Sequence, residues 1–365
     1  MKAINTRLIS LDAMRGFTIA AMILVNYPGS WSHVYPPLLH AKWHGITLTD
    51  FIYPFFLFIV GVSIALAYTK RLEKGLAKNE MYKKIMVRSL KIFIVGLLLN
   101  LIPAFDFYNM RIAGVLQRIA VVFFACAFLF LNLSWKKQAF LGGALLIFYW
   151  LAMVMIPTPG EGKVMLEPGA NLAAWIDRII LPGRMWEGTW DPEGFFSTLP
   201  AIVTGIMGML AGHILLSGRN EQMKASYLMS IGVPLVLLGL LWAQVFPINK
   251  HLWTSSFTLI TGGAGFLALG AFYFMVDILG NKKGTSIGII FGANAITVYV
   301  LADILSLIFY GLEFTGQALN VHFMQAFGSI GLPLKLVSLL YALLFVGINF
   351  IPAYLLFKNK IFIKL

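Results

Sequence analysis

The chain has 365 residues, 59% of them apolar and only 12% charged, with a formal net charge of +13. That balance excludes an ordinary soluble protein, and with no polar stretch long enough for a separate domain it predicts one polytopic membrane unit over residues 1–365. On a soluble chain such a charge would suggest nucleic acid; here the basic residues fall in alternate connections, as cytoplasmic loops of membrane proteins require, and no nucleic-acid partner is expected.

The apolar runs predict an all-α fold of about ten transmembrane helices, at 11–27, 48–69, 85–102, 112–131, 138–156, 195–216, 226–246, 255–278, 286–310 and 334–357. An even number puts both termini on one side. The first run holds Asp12, Arg15 and Asn26 and lacks a small-residue cleavage site, which argues against a cleavable signal peptide. Of the 28 basic residues, 20 fall on the side of the termini, in clusters such as Lys70, Arg71, Lys74, Lys78, Lys83, Lys84, Arg88 and Lys91. Lys2, Arg7, Arg15, Lys136, Lys137, Arg219, Lys224, Lys282, Lys283, Lys358, Lys360 and Lys364 complete that set. The bias predicts cytoplasmic termini in an inner membrane and an outward-facing loop between the first two helices.

That first outer loop is crowded with Asn26, Pro28, Trp31, His33, Pro36, Pro37, His40, Trp43 and His44, and holds three of the six histidines. Packing needs no such chemistry, so the loop is the candidate active site. The longest outer connection, 157–194, is too rich in Gly, Pro and charge to span; its LAAWIDRIILP stretch predicts a short interfacial helix, with Trp175, Trp186 and Trp190 at headgroup depth. A second outer turn reads PINKHLWTSS (247–256). No repeat of 20–50 residues is visible, and no pair of helices broken at matching positions, the sequence hint of many transporters.

On the first helix Arg15 and Asn26 are 11 positions apart and return to within about 20° of one another, about 16 Å apart along the axis. Asp12 shares the stripe. A cation near one face and an amide near the other would suit an extended ligand with an anionic head; a simple Asp12–Arg15 pair at i, i+3 explains the same residues. On the fourth run Arg111 and Arg118 are seven apart, with Gln117 beside the second, which puts Arg118 about two turns into the membrane. A cation at that depth faces a ligand, a cavity, or a carboxylate among Asp12, Asp50, Asp106 and Asp303. Histidine is the side chain suited to exchange a proton near neutral pH, so His33, His40 and His44 are candidate bases. Asn26 can polarise a carbonyl or simply end its helix before Pro28 and Gly29. Asp50, in TLTDFIYP, has a role at the site or caps the second helix. The lone Cys126, among phenylalanines, reads as packing. HEXXH, GxSxG, CxxC and P-loop patterns are missing, and no zinc-ligand spacing occurs, so no metal is expected.

RLISLDAMRG, VNYPGS, LHAKWHGITLTDFIYPFFLFIVG, RIAGVLQRIA, WDPEGFFSTLPAI, PINKHLWTSS and FGANAITVYV follow one another in order. Together, from about 7 to 357, they resemble the transmembrane domain of the heparan-α-glucosaminide N-acetyltransferase family. The resemblance implies transfer of acetyl from cytosolic acetyl-CoA to the amine of a terminal, glucosamine-like amino sugar across the membrane. It places the family's catalytic histidine on His40, not His44, and its active-site asparagine on Asn26. For that reaction the polar stripes supply the expected donor set of Arg15, Arg118, Gln117 and Asp12, and the outer segments the expected acceptor set of Asp50, Trp186, Asp191, Glu193, Lys250 and Trp253. The expected partners are acetyl-CoA, the amino sugar and the bilayer, with a homodimer as the protein assembly. A transporter or channel for a small anionic or sugar solute, using the same polar track as a path, is the competing expectation.

Overall fold

A computed structural model describes residues 8–102 and 104–363, so Lys2, Arg7 and Lys364 of the basic set lie outside the described residues. Thirteen helices follow in order: α1 (Ile9–Asn26), α2 (Ile52–Glu73), α3 (Lys78–Leu101), α4 (Val115–Asn132), α5 (Trp135–Met155), α6 (Leu172–Ile180), α7 (Thr198–Leu216), α8 (Glu221–Trp242), α9 (Ser255–Phe272), α10 (Thr285–Ala293), α11 (Ala295–Ser306), α12 (Leu319–Ser329) and α13 (Leu334–Lys358). Among the described residues the strands are β1 (Glu313–Phe314) and β2 (Gln317–Ala318), a two-residue antiparallel pair. The protein is an all-α polytopic membrane protein. Eight helices among the described residues are long and apolar enough to cross a bilayer, and nine if α10 and α11 are taken as one broken span. The third expected span is present as α3, whose 24 residues suffice by length; Lys84, Arg88 and Lys91, spread from its second turn to just past its middle, keep it out of that apolar count.

One expectation is corrected here. The run 286–310, read as a single straight helix, bends by 82° between α10 and α11. The bend is at Asn294, whose backbone (φ −130°, ψ 43°) leaves the helical region. Its buried side chain ties the break to the chain's tail: Nδ2 donates to the Ile361 carbonyl at 3.0 Å and Oδ1 accepts from the Ile363 amide at 2.8 Å. An amide has both a donor and an acceptor, which is why a break can be held by one residue.

The chain forms two compact units. The first comprises residues 41–46 and 54–274. Its core is built on close backbone approach: a Cβ at Gly61 of α2 would overlap the Gly205 carbonyl of α7, and one at Gly208 would overlap the Phe58 carbonyl. Small residues four apart, Gly61 and Ala65 on α2 and Gly208 and Gly212 on α7, allow this contact, the usual device where lipid supplies no hydrophobic drive. Cys126 is wholly buried beside Gly205, consistent with packing. The helix expected in the long loop is α6, begun by Asn171, whose Oδ1 accepts from the Ala174 amide at 2.9 Å. It buries Leu172 and Ala173 against Tyr149, Met153, Phe196, Phe246 and Leu252.

The second unit comprises residues 8–40, 47–53 and 275–363. Here α1 packs on α10 through Gly16, Gly288 and Gly292; a Cβ on Gly16 would overlap the Gly288 carbonyl. The start of α1 is closed by Asp277, whose carboxylate accepts from the Ile9 and Ser10 amides at 3.3 and 3.2 Å. Two of the helix's orphan donors are thereby satisfied.

Candidate functional site

The second unit holds Asn26, His40 and Asp50. Asn26 is the last residue of α1 and is half-buried. Short 3₁₀ turns at Trp31–His33 and Pro36–Leu38 then carry the chain to His40. His40 is exposed at its side chain by 38%, and its Nδ1 lies 2.7 Å from Oδ1 of the wholly buried Asp50. The other oxygen, Oδ2, accepts from the Thr47 amide at 2.9 Å and from its hydroxyl at 3.0 Å, a capping box that opens the turn Leu48–Phe51 ahead of α2. Thr47 and Thr49 in turn donate to the Leu39 and Pro37 carbonyls, at 2.7 and 3.2 Å. Asp50 therefore caps, and it meets the candidate base His40. Expected among the acceptor contacts, it is instead sealed beneath His40, since a carboxylate with no exposed surface cannot meet a sugar.

A histidine that donates Nδ1–H to a buried carboxylate has the lone pair of its neutral ring on Nε2. The carboxylate also compensates any positive charge the ring acquires, and it fixes the plane of the imidazole. The arrangement is that of an oriented general base.

Arg15 and Asp12 meet each other: Nη1 lies 3.1 Å from Oδ1, the i, i+3 pair. His33 Nδ1 lies 3.3 Å from the Ser30 hydroxyl.

The first unit holds the remaining candidates. Arg118 sits in the first turn of α4, not two turns into a helix, because α4 begins at Val115; Arg111 precedes the helix altogether. The Arg118 guanidinium is 2% exposed and donates from Nη2 to the Ser197 hydroxyl at 2.5 Å and the Gly194 carbonyl at 3.1 Å. It lies 5.1 Å from the centre of the Trp253 ring, a cation–π contact. Its Nε and Nη1 have no hydrogen-bond partner among the described residues. The carboxylates considered as its counter-charge each have another partner: Asp12 meets Arg15, Asp50 meets His40, Asp303 meets Tyr27, and Asp106 accepts from the Tyr108 and Asn109 amides of its own turn. The anion that Arg118 does feel is Asp177 on α6. Burial pushes the Asp177 carboxyl up to about 6, against a hydrogen bond from the Phe196 amide and the charge of Arg118.

Gln117 does not accompany Arg118. It is buried with its amide oxygen between Gly96 and Gly114, where a Cβ would come within 2.5 and 2.6 Å of it. That is a helix-contact position between α3 and α4, enclosed from any donor.

Asp191 and Glu193 hold Arg111. Asp191 Oδ2 and Oδ1 accept from Nε and Nη2 at 2.7 and 2.6 Å, and Glu193 Oε2 accepts from Nη2 at 2.6 Å. Burial alone would raise the Asp191 carboxyl, but the two-pronged Arg111 contact and its charge hold it below the usual range. Trp186 is 58% exposed, and its ring lies 4.9 Å from the same guanidinium. Trp253, expected to stack on a sugar, is 1% exposed, donates to the Thr204 hydroxyl at 3.2 Å and has φ +51°, a left-handed backbone that a bulky residue adopts only when its surroundings impose it. Lys250 is half-buried in the same turn.

That turn is organised by a residue the motif contained but the sequence reading passed over. Asn249 is wholly buried; its Oδ1 accepts from the Leu252 amide at 2.8 Å, its amide donates to the Thr254 hydroxyl at 3.0 Å, and its Nδ2 lies 3.3 Å from His44 Nδ1. Trp43 stacks on His251 at 5.4 Å, with Trp190 edge-on to both. Trp190 thus packs on Trp43 and His251, and Trp175 packs against the Tyr149 cluster. Among the described residues, no group of three or more His, Cys, Asp or Glu side chains is placed to hold a metal.

Residues 7–242 match the heparan-alpha-glucosaminide N-acetyltransferase catalytic family. The chain belongs to that family. The human protein named heparan-alpha-glucosaminide N-acetyltransferase is 29% identical over 360 residues, a match covering 82% of this chain and 53% of the human one. Its mouse counterpart is 29% identical over 357 residues, covering 82% and 54%. The chain spans about half the length of these curated relatives. The family match includes Asn26, His40, Asp50, Arg118 and Asp177, and stops before Asn249 and Trp253.

Proposed function

We propose that this protein is a transmembrane N-acetyltransferase that takes acetyl from cytosolic acetyl-CoA and passes it to the amine of a terminal, glucosamine-like amino sugar on the periplasmic side of the inner membrane. The observation that carries the reading is the His40–Asp50 pair, a partly exposed imidazole oriented by a buried carboxylate, in a chain of an acetyltransferase family. An amine attacks a thioester only as its free base. His40 Nε2 accepts the proton as the nitrogen bonds to the carbonyl carbon; Asp50 balances the imidazolium; Asn26 donates to the carbonyl oxygen as it gains charge. The C–S bond then breaks, the thiolate leaves, and the proton held by His40 is returned to it or to water. Arg15, eleven residues before Asn26 on α1, is the proposed contact for the anionic end of the donor.

Direct transfer in one complex of donor and acceptor is preferred to acetylation of His40, because an acetyl-imidazole on a ring with 38% exposure would hydrolyse. Incubation with radiolabelled acetyl-CoA and no acceptor tests this. Direct transfer leaves no label on the protein; stoichiometric label, lost in His40→Ala, establishes the covalent route; full turnover by His40→Ala removes both.

One observation favours a transporter, the 82° break at Asn294, since broken helices are a transporter device. In inverted-repeat transporters the device comes in pairs, and α10–α11 is the single such break among the described residues. Uptake of labelled amino sugar into vesicles without acetylation would establish that reading. For the acceptor, a screen of amino sugars with purified protein and labelled acetyl-CoA decides the class.

A further inference from the structure

The turn that follows Asn26 is held by a part of the chain far away in sequence. The Tyr27 hydroxyl donates to Oδ1 of Asp303 on α11, and Tyr299, one turn earlier, is a second hydrogen-bonding neighbour of that carboxylate. The Tyr310 hydroxyl donates to the Pro28 carbonyl at 3.0 Å, and Asn320 Nδ2 on α12 donates to the Gly29 carbonyl at 3.1 Å. On α13, Ser338 accepts from the Gly29 amide at its carbonyl, 3.2 Å, and from the Ser30 amide at its hydroxyl, 3.0 Å. The Tyr27 ring lies 4.8 Å from the ring of Phe345 and 6.1 Å from that of Tyr310. Helices usually end with their last carbonyls met by a local cap or by water. Here four successive residues after the helix are held by side chains and backbone from residues 303–338, a stretch beyond the family match.

Asp303 is the costly member. A carboxylate on an apolar helix is retained where it has a partner or a task, and its partner is the residue next to Asn26. We propose that Asp303 and Tyr27 form a positioning pair that fixes the end of α1 so that the Asn26 amide is held where the oxyanion develops. The proposal rests on the assignment of Asn26 made above. A donor to a developing charge is effective only when its position is set in advance, and a misplacement of about 1 Å costs about 10²-fold in rate.

The test compares Tyr27→Phe, Asp303→Asn and Asp303→Ala with Asn26→Ala, each as purified full-length protein, with kcat and both KM values normalised to folded protein. Tyr27→Phe keeps the ring against Phe345 and removes only the hydroxyl. A positioning role lowers kcat by about tenfold or more in Tyr27→Phe and Asp303→Ala and leaves the donor KM within about twofold. It leaves Asp303→Asn with at least half of wild-type kcat, because the amide oxygen still accepts from Tyr27. Wild-type kcat in Tyr27→Phe, or an Asp303→Asn as impaired as Asp303→Ala, overturns the proposal. Should Asp303→Ala fail to fold, Tyr27→Phe alone decides. Full turnover in Asn26→Ala overturns the underlying assignment instead, so the two failures are distinct.

Discussion

Asp50 is one buried side chain with two partners, one structural and one in the proposed chemistry. Its Oδ2 closes the turn into α2 and its Oδ1 meets His40, so its replacement separates the two tasks. Asp50→Asn keeps an oxygen for Thr47 but removes the charge that stabilises the imidazolium. We expect kcat to fall on the order of 10²–10⁴-fold, the usual worth of a general base, with acetyl-CoA binding unchanged by calorimetry. Asp177 carries a different prediction, in stability. Its carboxyl is pushed up to about 6 by burial, so the folded state holds a proton that the unfolded state releases nearer the ordinary 3.8. A raised pKa stabilises the fold fully below the unfolded value and loses that contribution as pH climbs through about 6. The gap is worth on the order of 3 kcal/mol. Thermal unfolding of wild type against Asp177→Asn from pH 4.5 to 7.5 checks it: the wild type should lose ground steadily, while the asparagine, which can still accept from the Phe196 amide, should not. A constant difference across that range contradicts the assignment.

At the scale of helices, packing is decided by where two backbones touch. Gly16 of α1 lies against the Gly288 carbonyl of α10, with no room for a methyl group, whereas Gly143 of α5 has nothing within 4 Å of where its Cβ would be. Gly16→Ala should therefore cost about 1–3 kcal/mol or more, and Gly143→Ala should be neutral or slightly stabilising, measured as unfolding midpoints in one detergent. The helices themselves were readable from apolar run length, and so was α6 from its amphipathic stretch. The break at Asn294 was not, because Gly-Ala-Asn is tolerated inside membrane helices and only the tail segment 361–363, distant in sequence, makes the asparagine a clamp. That α4 starts at Val115, with Arg118 in its first turn, was hidden for a related reason: hydropathy cannot distinguish the extended approach to a helix from its first turn. The His40–Asp50 pair was hidden by its ten-residue separation through an irregular segment that ends in the Leu48–Phe51 turn. Nothing periodic links those positions, so the residues were singled out but their contact was not.

For the molecule as a whole, orientation follows from the placement of its cations. Twenty of the 28 basic residues fall on the side assigned to the termini, and Lys78, Lys83, Lys84 and Arg88 cluster along the first half of α3. Lysine and arginine resist translocation, so this end of α3 is expected in the cytosol and residues 28–46, with His40, in the periplasm. The proposed reaction depends on that orientation, since the donor is cytosolic and His40 must lie within reach of an acceptor outside. Single cysteines in a background without Cys126 provide the test. That residue is wholly buried with its sulfur against Gly205, so Cys126→Ala leaves a small void and should cost no more than about 1–2 kcal/mol. Lys42→Cys, exposed in the outer segment, should react with a membrane-impermeant maleimide on spheroplasts, whereas Lys78→Cys should react only after the membrane is opened. The reverse pattern would invert the protein and place His40 with the donor's own compartment, leaving an acetyltransferase that acts on a cytosolic amine. Labelling of both sites from outside would break the link between the charge bias and the fold, because two positions on one side need an even number of crossings between them, and α2, between residues 42 and 78, supplies one.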